Sequence, residues 1–187
     1  TFINMNKIIG YESELNSFLN HLINNTLNNS VLLTGNKGIG KSIFFKQLIE
    51  KYLKNILNDE LEHHLNLHNN NTHPNIRYIK KETDEKTMQI KNFITVDQII
   101  KIHQFSFETS IIKKLAKFII IDCADDMNLN ASNALLKMLE EPKLNTFFFL
   151  ISHQPSLLLP TIKSRCLKIN LSNHHDNNFS NILKISN

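Results

Sequence analysis

The sequence predicts an α/β fold of three layers, a five-stranded parallel sheet flanked by helices. Three observations predict it. Short apolar runs of strand length alternate with longer segments of helical periodicity. The short runs are continuously apolar, as strands covered on both faces are. The first run ends in a glycine-rich turn that opens directly into a helix, the strand–loop–helix unit from which parallel sheets are wound.

Each element has its own signal. From Glu12 to Asn28, Leu15, Phe18, Leu19, Leu22 and Ile23 recur at helical spacing, which predicts an amphipathic helix with one packed face. "SVLLTG" (30–35) is the first strand. Phe44, Phe45, Leu48, Ile49, Leu53 and Ile56 then carry helical periodicity from Lys41 to Leu57. "LHNNNTH" (67–73) reads as a polar loop, and "NIRYIK" (75–80) as the second strand. "TVDQIIKIHQF" (95–105) opens with Thr95 and Gln98 spaced as a capping box, the start of another helix. "KFIIID" (117–122) is the third strand, and "NASNALLKMLEEP" (130–142) is a helix stopped by Pro142. "TFFFLIS" and "CLKINL" are the fourth and fifth strands. From about Ser172 the chain turns polar, then places Phe179, Ile182 and Leu183 at helical spacing. Residues 1–171 are therefore read as one nucleotide-binding domain, and 172–187 as the truncated start of a helical second one.

Composition narrows the class. The chain has 187 residues, 41% of them hydrophobic and 20% charged, and at this length a domain buries about 70% of the surface its unfolded chain would expose. No apolar run approaches the roughly 20 residues that span a bilayer. "TFINMNKIIG" lacks the apolar core of a signal peptide, so a cytoplasmic location is expected, with the four residues before Met5 read as a trimmed leader or an added remnant. Cys123 and Cys166 are too few for a disulfide scaffold and are expected as reduced, buried thiols. A net charge of +4 is a weak attraction for polyanions.

The chemistry centres on "GNKGIGKS" (35–42), which fits G-x-x-x-x-G-K-[ST] in the required setting, after a strand and before a helix. Gly35, Gly38 and Gly40 let backbone N–H groups converge on phosphate oxygens, and Asn36, Lys37, Ile39 and Ile43 complete the cradle. Lys41 is expected to reach the outer phosphates of ATP or ADP, and Ser42 to ligate magnesium. Asp122, at the end of the third strand, is the natural residue to order that magnesium through water. The next residue, where hydrolases often carry an acid, is Cys123. Loss of a general base costs about 10²- to 10⁴-fold in rate, and a buried thiol without a nearby cation cannot replace it. Asp125 stands three residues past Asp122, off the strand. The expectation is a protein that binds nucleotide and hydrolyses it poorly.

Together with "IIIDCADDMNLNASNALLKMLEEP" and "FFFLISHQPSLLLPTIKSRC", the phosphate loop makes residues 8–171 resemble the clamp-loader subunits of bacterial DNA polymerase III, a branch of the AAA+ superfamily of P-loop NTPases. "ITVDQI", "HPN" (73–75) and the non-acidic residue after Asp122 are most similar to the delta prime branch. The resemblance implies a hetero-oligomeric ring with delta and gamma/tau subunits that acts on the sliding clamp and primer–template DNA through the complex. It implies that Arg165, in "SRC", is an arginine finger directed at the neighbouring subunit's ATP. It also implies that Ser152, rather than His153, senses the terminal phosphate, and that Ile8 and Ile9 lie against the adenine.

The family's four-cysteine zinc module is absent between the loop and the second strand, where His63, His64, His68 and His73 stand without a cysteine. No zinc is expected. Two rival readings compete: a gamma/tau-like motor ATPase, which calls for an acid at position 123, and a small-molecule kinase, which calls for acceptor-binding arginines after the cradle. Lys137, Glu140 and Glu141 are expected on a solvated helix face.

Overall fold

In the computed structural model, residues 10–84 and 86–171 are described. Ile8, Ile9 and the segment 172–187 lie outside them. Five strands, β1 (Ser30–Thr34), β2 (Ile76–Ile79), β3 (Lys117–Ile121), β4 (Thr146–Ser152) and β5 (Leu167–Asn170), form one sheet in the order β2-β3-β4-β1-β5. Every pairing is parallel. The helices are α1 (Glu12–Ile23), α2 (Lys41–Ile56), α3 (Leu61–Asn69), α4 (Val96–Phe107), α5 (Leu129–Glu140) and α6 (Pro160–Arg165).

Strand residues alternate between two cores, one on each face of the sheet. Leu33, Ile120 and Phe149 face a core built with α1 and α2, in which Phe18, Phe44 and Phe45 are fully buried. Leu32, Ile119, Ile121 and Leu150 face a second core with Ile99 and Ile102 of α4 and Leu135 and Met138 of α5. The ring of Phe149 stacks on Phe45 at 4.4 Å, with 2° between their planes. This explains the unbroken apolar runs, since a strand covered on both sides has no wet face.

Strand order decides where loops meet. From β1 the chain crosses to the far edge at β2 and returns through β3 and β4, so β1 and β4 are neighbours. Thr34 is in register with Ser152, and Ile121 with Leu150. The segments that follow β1, β3 and β4 therefore emerge side by side at the carboxyl end of the sheet, where ligands bind in open parallel sheets.

The predicted elements differ from the structure in three places. The first helix ends at Ile23 rather than Asn28, and Asn25 takes a left-handed φ of 54° that a helix does not continue through. The polar segment 67–73 begins inside α3, whose packed face includes the buried His64 and His68 beside Leu61 and Leu65; histidine reads as polar, which hid the period. The third is α6, six residues long with Pro160 in its first turn, too short to carry a periodic signal.

Candidate functional site: a phosphate loop beside a thiol

The loop starts where β1 stops. Gly35 has φ 144°, and a Cβ built there would lie 2.5 Å from the carbonyl oxygen of Leu171, so only glycine fits. Gly40, at φ 96°, is the last residue before α2, a helix of 16 residues whose N-terminus carries its unpaired N–H groups and about half a positive charge. Lys41 is buried at 3% exposure. Its Nζ turns back and donates to the carbonyl oxygens of Gly35 (2.6 Å) and Asn36 (2.8 Å). Burial lowers its pKa, while the charges of Asp125, Cys123 and Asp122 pull it back up. Asn36 and Lys37 are exposed, and Ile39, Ser42 and Ile43 are half-buried.

Asp122 follows β3 directly and donates its N–H to the carbonyl of Ile79 at 2.8 Å. Cys123 sits in the left-handed region at φ 58°, with Sγ 3.8 Å from Asp122 Oδ1 and 3.3 Å from His153 Nε2. Its thiol is pushed up to about 11 by burial first, then by the carboxylates of Asp122, Asp126 and Asp125. Asp125 has left the strand, as expected, for a 3₁₀ turn over Ala124–Asp126. There its Oδ1 accepts the N–H of His153 at 3.1 Å, while Asp126 pairs with Lys81 at 2.9 Å. Ser152, fully buried at the end of β4, has a hydroxyl with no hydrogen-bond partner among the described residues, and the Nδ1 of His153 has none there either. Orphaned polar atoms at the mouth of a phosphate loop fit a polar ligand. Asp125 as a brace and His153 as the thiol's neighbour were not foreseen: these contacts span 28 and 30 residues, and only strand register brings them together.

Arg165 is the last residue of α6. One guanidinium nitrogen donates to the carbonyl of Thr161 at 3.0 Å, and another forms an ion pair with Glu140 at the end of α5. The side chain is 33% exposed. Lys137, Glu140 and Glu141 are all exposed, as read, and Glu140 is in addition the partner of Arg165.

Of the four histidines, His64 and His73 are in hydrogen-bond contact. His63 is exposed, while His64, His68 and His73 are buried. The N–H of Asn75 donates to His73 Nδ1 at 3.1 Å, which places the proton of neutral His73 on Nε2, 3.2 Å from His64 Nδ1. His68 Nε2 lies 3.2 Å from the carbonyl of Lys46. Among the described residues, no group of three or more His, Cys, Asp or Glu side chains is placed to hold a metal ion, and no helix is long and apolar enough to cross a membrane.

A five-stranded parallel sheet with helices on both faces and a glycine-rich loop at the carboxyl end of its strands is the three-layer α/β fold of the P-loop class. Residues 10–175 match the family described as DNA polymerase III, delta subunit, and the chain belongs to that family. It is 45% identical over 97 residues to DNA polymerase III subunit delta' of Pseudomonas aeruginosa, covering 52% of this chain and 27% of that protein. It is 30% identical over 165 residues to the delta' subunit of Buchnera aphidicola, covering 76% and 44%. The chain thus spans less than half the length of these relatives. Among solved structures, a DNA polymerase III gamma subunit-related protein from Thermotoga maritima shares the fold, with a TM-score of 0.65 at 22% identity over 89% of this chain and 47% of that one.

Proposed function

We propose that this chain is the nucleotide-binding part of a clamp-loader subunit of the delta prime kind, which holds ATP or ADP with magnesium, hydrolyses it poorly, and lends Arg165 to a neighbouring subunit. The observation that carries this reading is the loop Gly35–Ser42 set beside Cys123: a phosphate cradle next to a neutral thiol where hydrolysis needs a carboxylate. Lys41 would leave the carbonyls of Gly35 and Asn36 to reach the outer phosphates, with the N–H groups from Asn36 to Ile43 around them. Ser42 and Asp122 would hold the magnesium, and the spare hydroxyl of Ser152 would meet the terminal phosphate. Ile8 and Ile9 would lie against the adenine, and residues 172–187 would begin a helical lid. Magnesium nucleotide, when bound, supplies the polarised phosphate and, in this subunit, serves as a structural ligand.

On this reading the partners are the delta and gamma/tau subunits of a cytoplasmic ring, and through it the sliding clamp and primer–template DNA. Membership of the delta subunit family and the likeness to delta' proteins support it.

Two measurements test it. Calorimetry on the full-length protein should detect magnesium-dependent nucleotide binding that Lys41→Ala abolishes, with little turnover in either form; robust hydrolysis lost in Lys41→Ala would overturn the reading. In the assembled loader, Arg165→Ala should lower hydrolysis at the adjacent subunit by about 10³-fold or more. Unchanged DNA- and clamp-stimulated hydrolysis would remove the finger.

A further inference from the structure

We propose that His153 is a second donor to the terminal phosphate of bound nucleotide, and that the Cys123 thiol is the positioning residue that readies it. The inference rests on the reading of Gly35–Ser42 as a nucleotide cradle and adds to it a preference for triphosphate over diphosphate. His153 stands one residue past the end of β4, where the N–H it donates to Asp125 Oδ1 (3.1 Å) fixes its backbone. Its two ring nitrogens differ. Nε2 faces Cys123 Sγ at 3.3 Å, whereas Nδ1 is enclosed and has no hydrogen-bond partner among the described residues.

The thiol decides which nitrogen carries the proton. A neutral imidazole has one N–H and one bare nitrogen, so the group opposite Nε2 sets the state of Nδ1. Cys123 keeps its own proton, because burial and the neighbouring aspartates hold the thiol neutral. Two acceptors compete for that proton, Nε2 at 3.3 Å and Asp122 Oδ1 at 3.8 Å. Nε2 is the closer of the two, and Asp122 is the carboxylate assigned to magnesium-bound water. The thiol therefore donates to Nε2, and His153 carries its proton on Nδ1. A buried donor is costly to leave without an acceptor. Beside it, the hydroxyl of Ser152, fully buried, is unmet as well.

Two unmet donors on consecutive residues call for a ligand group rich in acceptors, and a phosphate oxygen is the one the neighbouring loop would supply. Ser152 is in register with Thr34, the residue before the phosphate loop. Lys41, which would meet the outer phosphates, lies within electrostatic reach of Asp125, Cys123 and Asp122. Both donors thus border the place of the outermost phosphate. A diphosphate, which ends one group earlier, leaves them unmet. At position 123 a thiol then orients a phosphate donor, where a carboxylate would activate water.

Two measurements on the full-length protein test this. With isotope-labelled histidine, NMR of the ring nitrogens distinguishes the two tautomers, and His153→Gln identifies the signal. Wild type should be protonated at Nδ1, and Cys123→Ala should shift the population toward Nε2; a wild type protonated at Nε2 would overturn the proposal. Calorimetry with magnesium ATP and magnesium ADP then reads the phosphate contact. His153→Ala should weaken ATP by about tenfold or more and ADP by less than about twofold. His153→Asn, whose amide nitrogen stands near the place of Nδ1, should keep most of the preference, whereas His153→Gln, whose amide reaches the place of Nε2, should lose it. Thermal unfolding checks that the variants fold, and if His153→Ala does not, the Asn and Gln variants decide. Equal losses of ATP and ADP, or equal behaviour of those two variants, would remove His153 from the site and leave the cradle standing. Failure of wild type to bind either nucleotide would instead overturn the cradle, and this inference with it.

Discussion

At position 123 a thiol stands in the line of β3, just beyond a carboxylate, in a left-handed conformation that only a few per cent of non-glycine residues adopt. Its environment makes it inert as well as non-acidic. Burial and three aspartates raise the thiol from 9.0 to about 11, and Lys81 opposes them only as the smallest contribution. A raised pKa keeps the proton on, so at about pH 8 the thiolate fraction is about 100-fold below that of a free thiol. Alkylation of Cys123 by iodoacetamide, followed by mass spectrometry, should be slower by about that factor and recover only toward pH 11. Cys166, pushed up to about 12 by burial, should be slower still. Fast modification of Cys123 at neutral pH would mean that the thiol can ionise, and the argument against a base at this position would lose its footing.

At the scale of elements, the segment from α3 to β2 is held by buried histidines that hydrogen-bond within it. His73 is lowered to about 4, by burial first and then by the neighbouring His64 and His68. Protonation at Nδ1 would also remove the acceptor that Asn75 uses. The unfolded chain therefore takes up a proton below about pH 6.5 that the folded chain refuses until about pH 4. Stability is fully present above the higher value and declines as pH falls between the two, by on the order of 3 kcal/mol. Urea unfolding across this range should follow that decline, and His73→Gln should flatten it; a wild-type profile flat over the window would contradict the account. The same segment marks the limit of what the sequence reveals. The central strands β1, β3 and β4 were legible because each is apolar on both faces, and the cradle because its eight residues are contiguous. The helix α3 was hidden by histidines doing the work of apolar residues. The pairs Cys123–His153 and Glu140–Arg165 were hidden because nothing local joins residues 25 or 30 positions apart.

At the scale of the molecule, one sheet separates two cores and fixes the site by its strand order. The aromatic stack of Phe45 on Phe149, with Phe118 5.8 Å from Phe149, ties α2, which follows the phosphate loop, to the centre of the sheet. Phe149→Ala should destabilise the protein by about 3–5 kcal/mol, as loss of a fully buried ring does. Denaturant titration checks this, and a cost below about 1 kcal/mol would mean that the core collapses around the gap.

The contact between α5 and α6 has a last consequence for how such a molecule joins another. Because Arg165 already rests on Glu140, a triphosphate engaged by the proposed finger would have to displace a resident counter-ion instead of meeting a bare guanidinium. On that proposal the strength of engagement would be a contest between two anions, and position 140 would become a tuning screw for it.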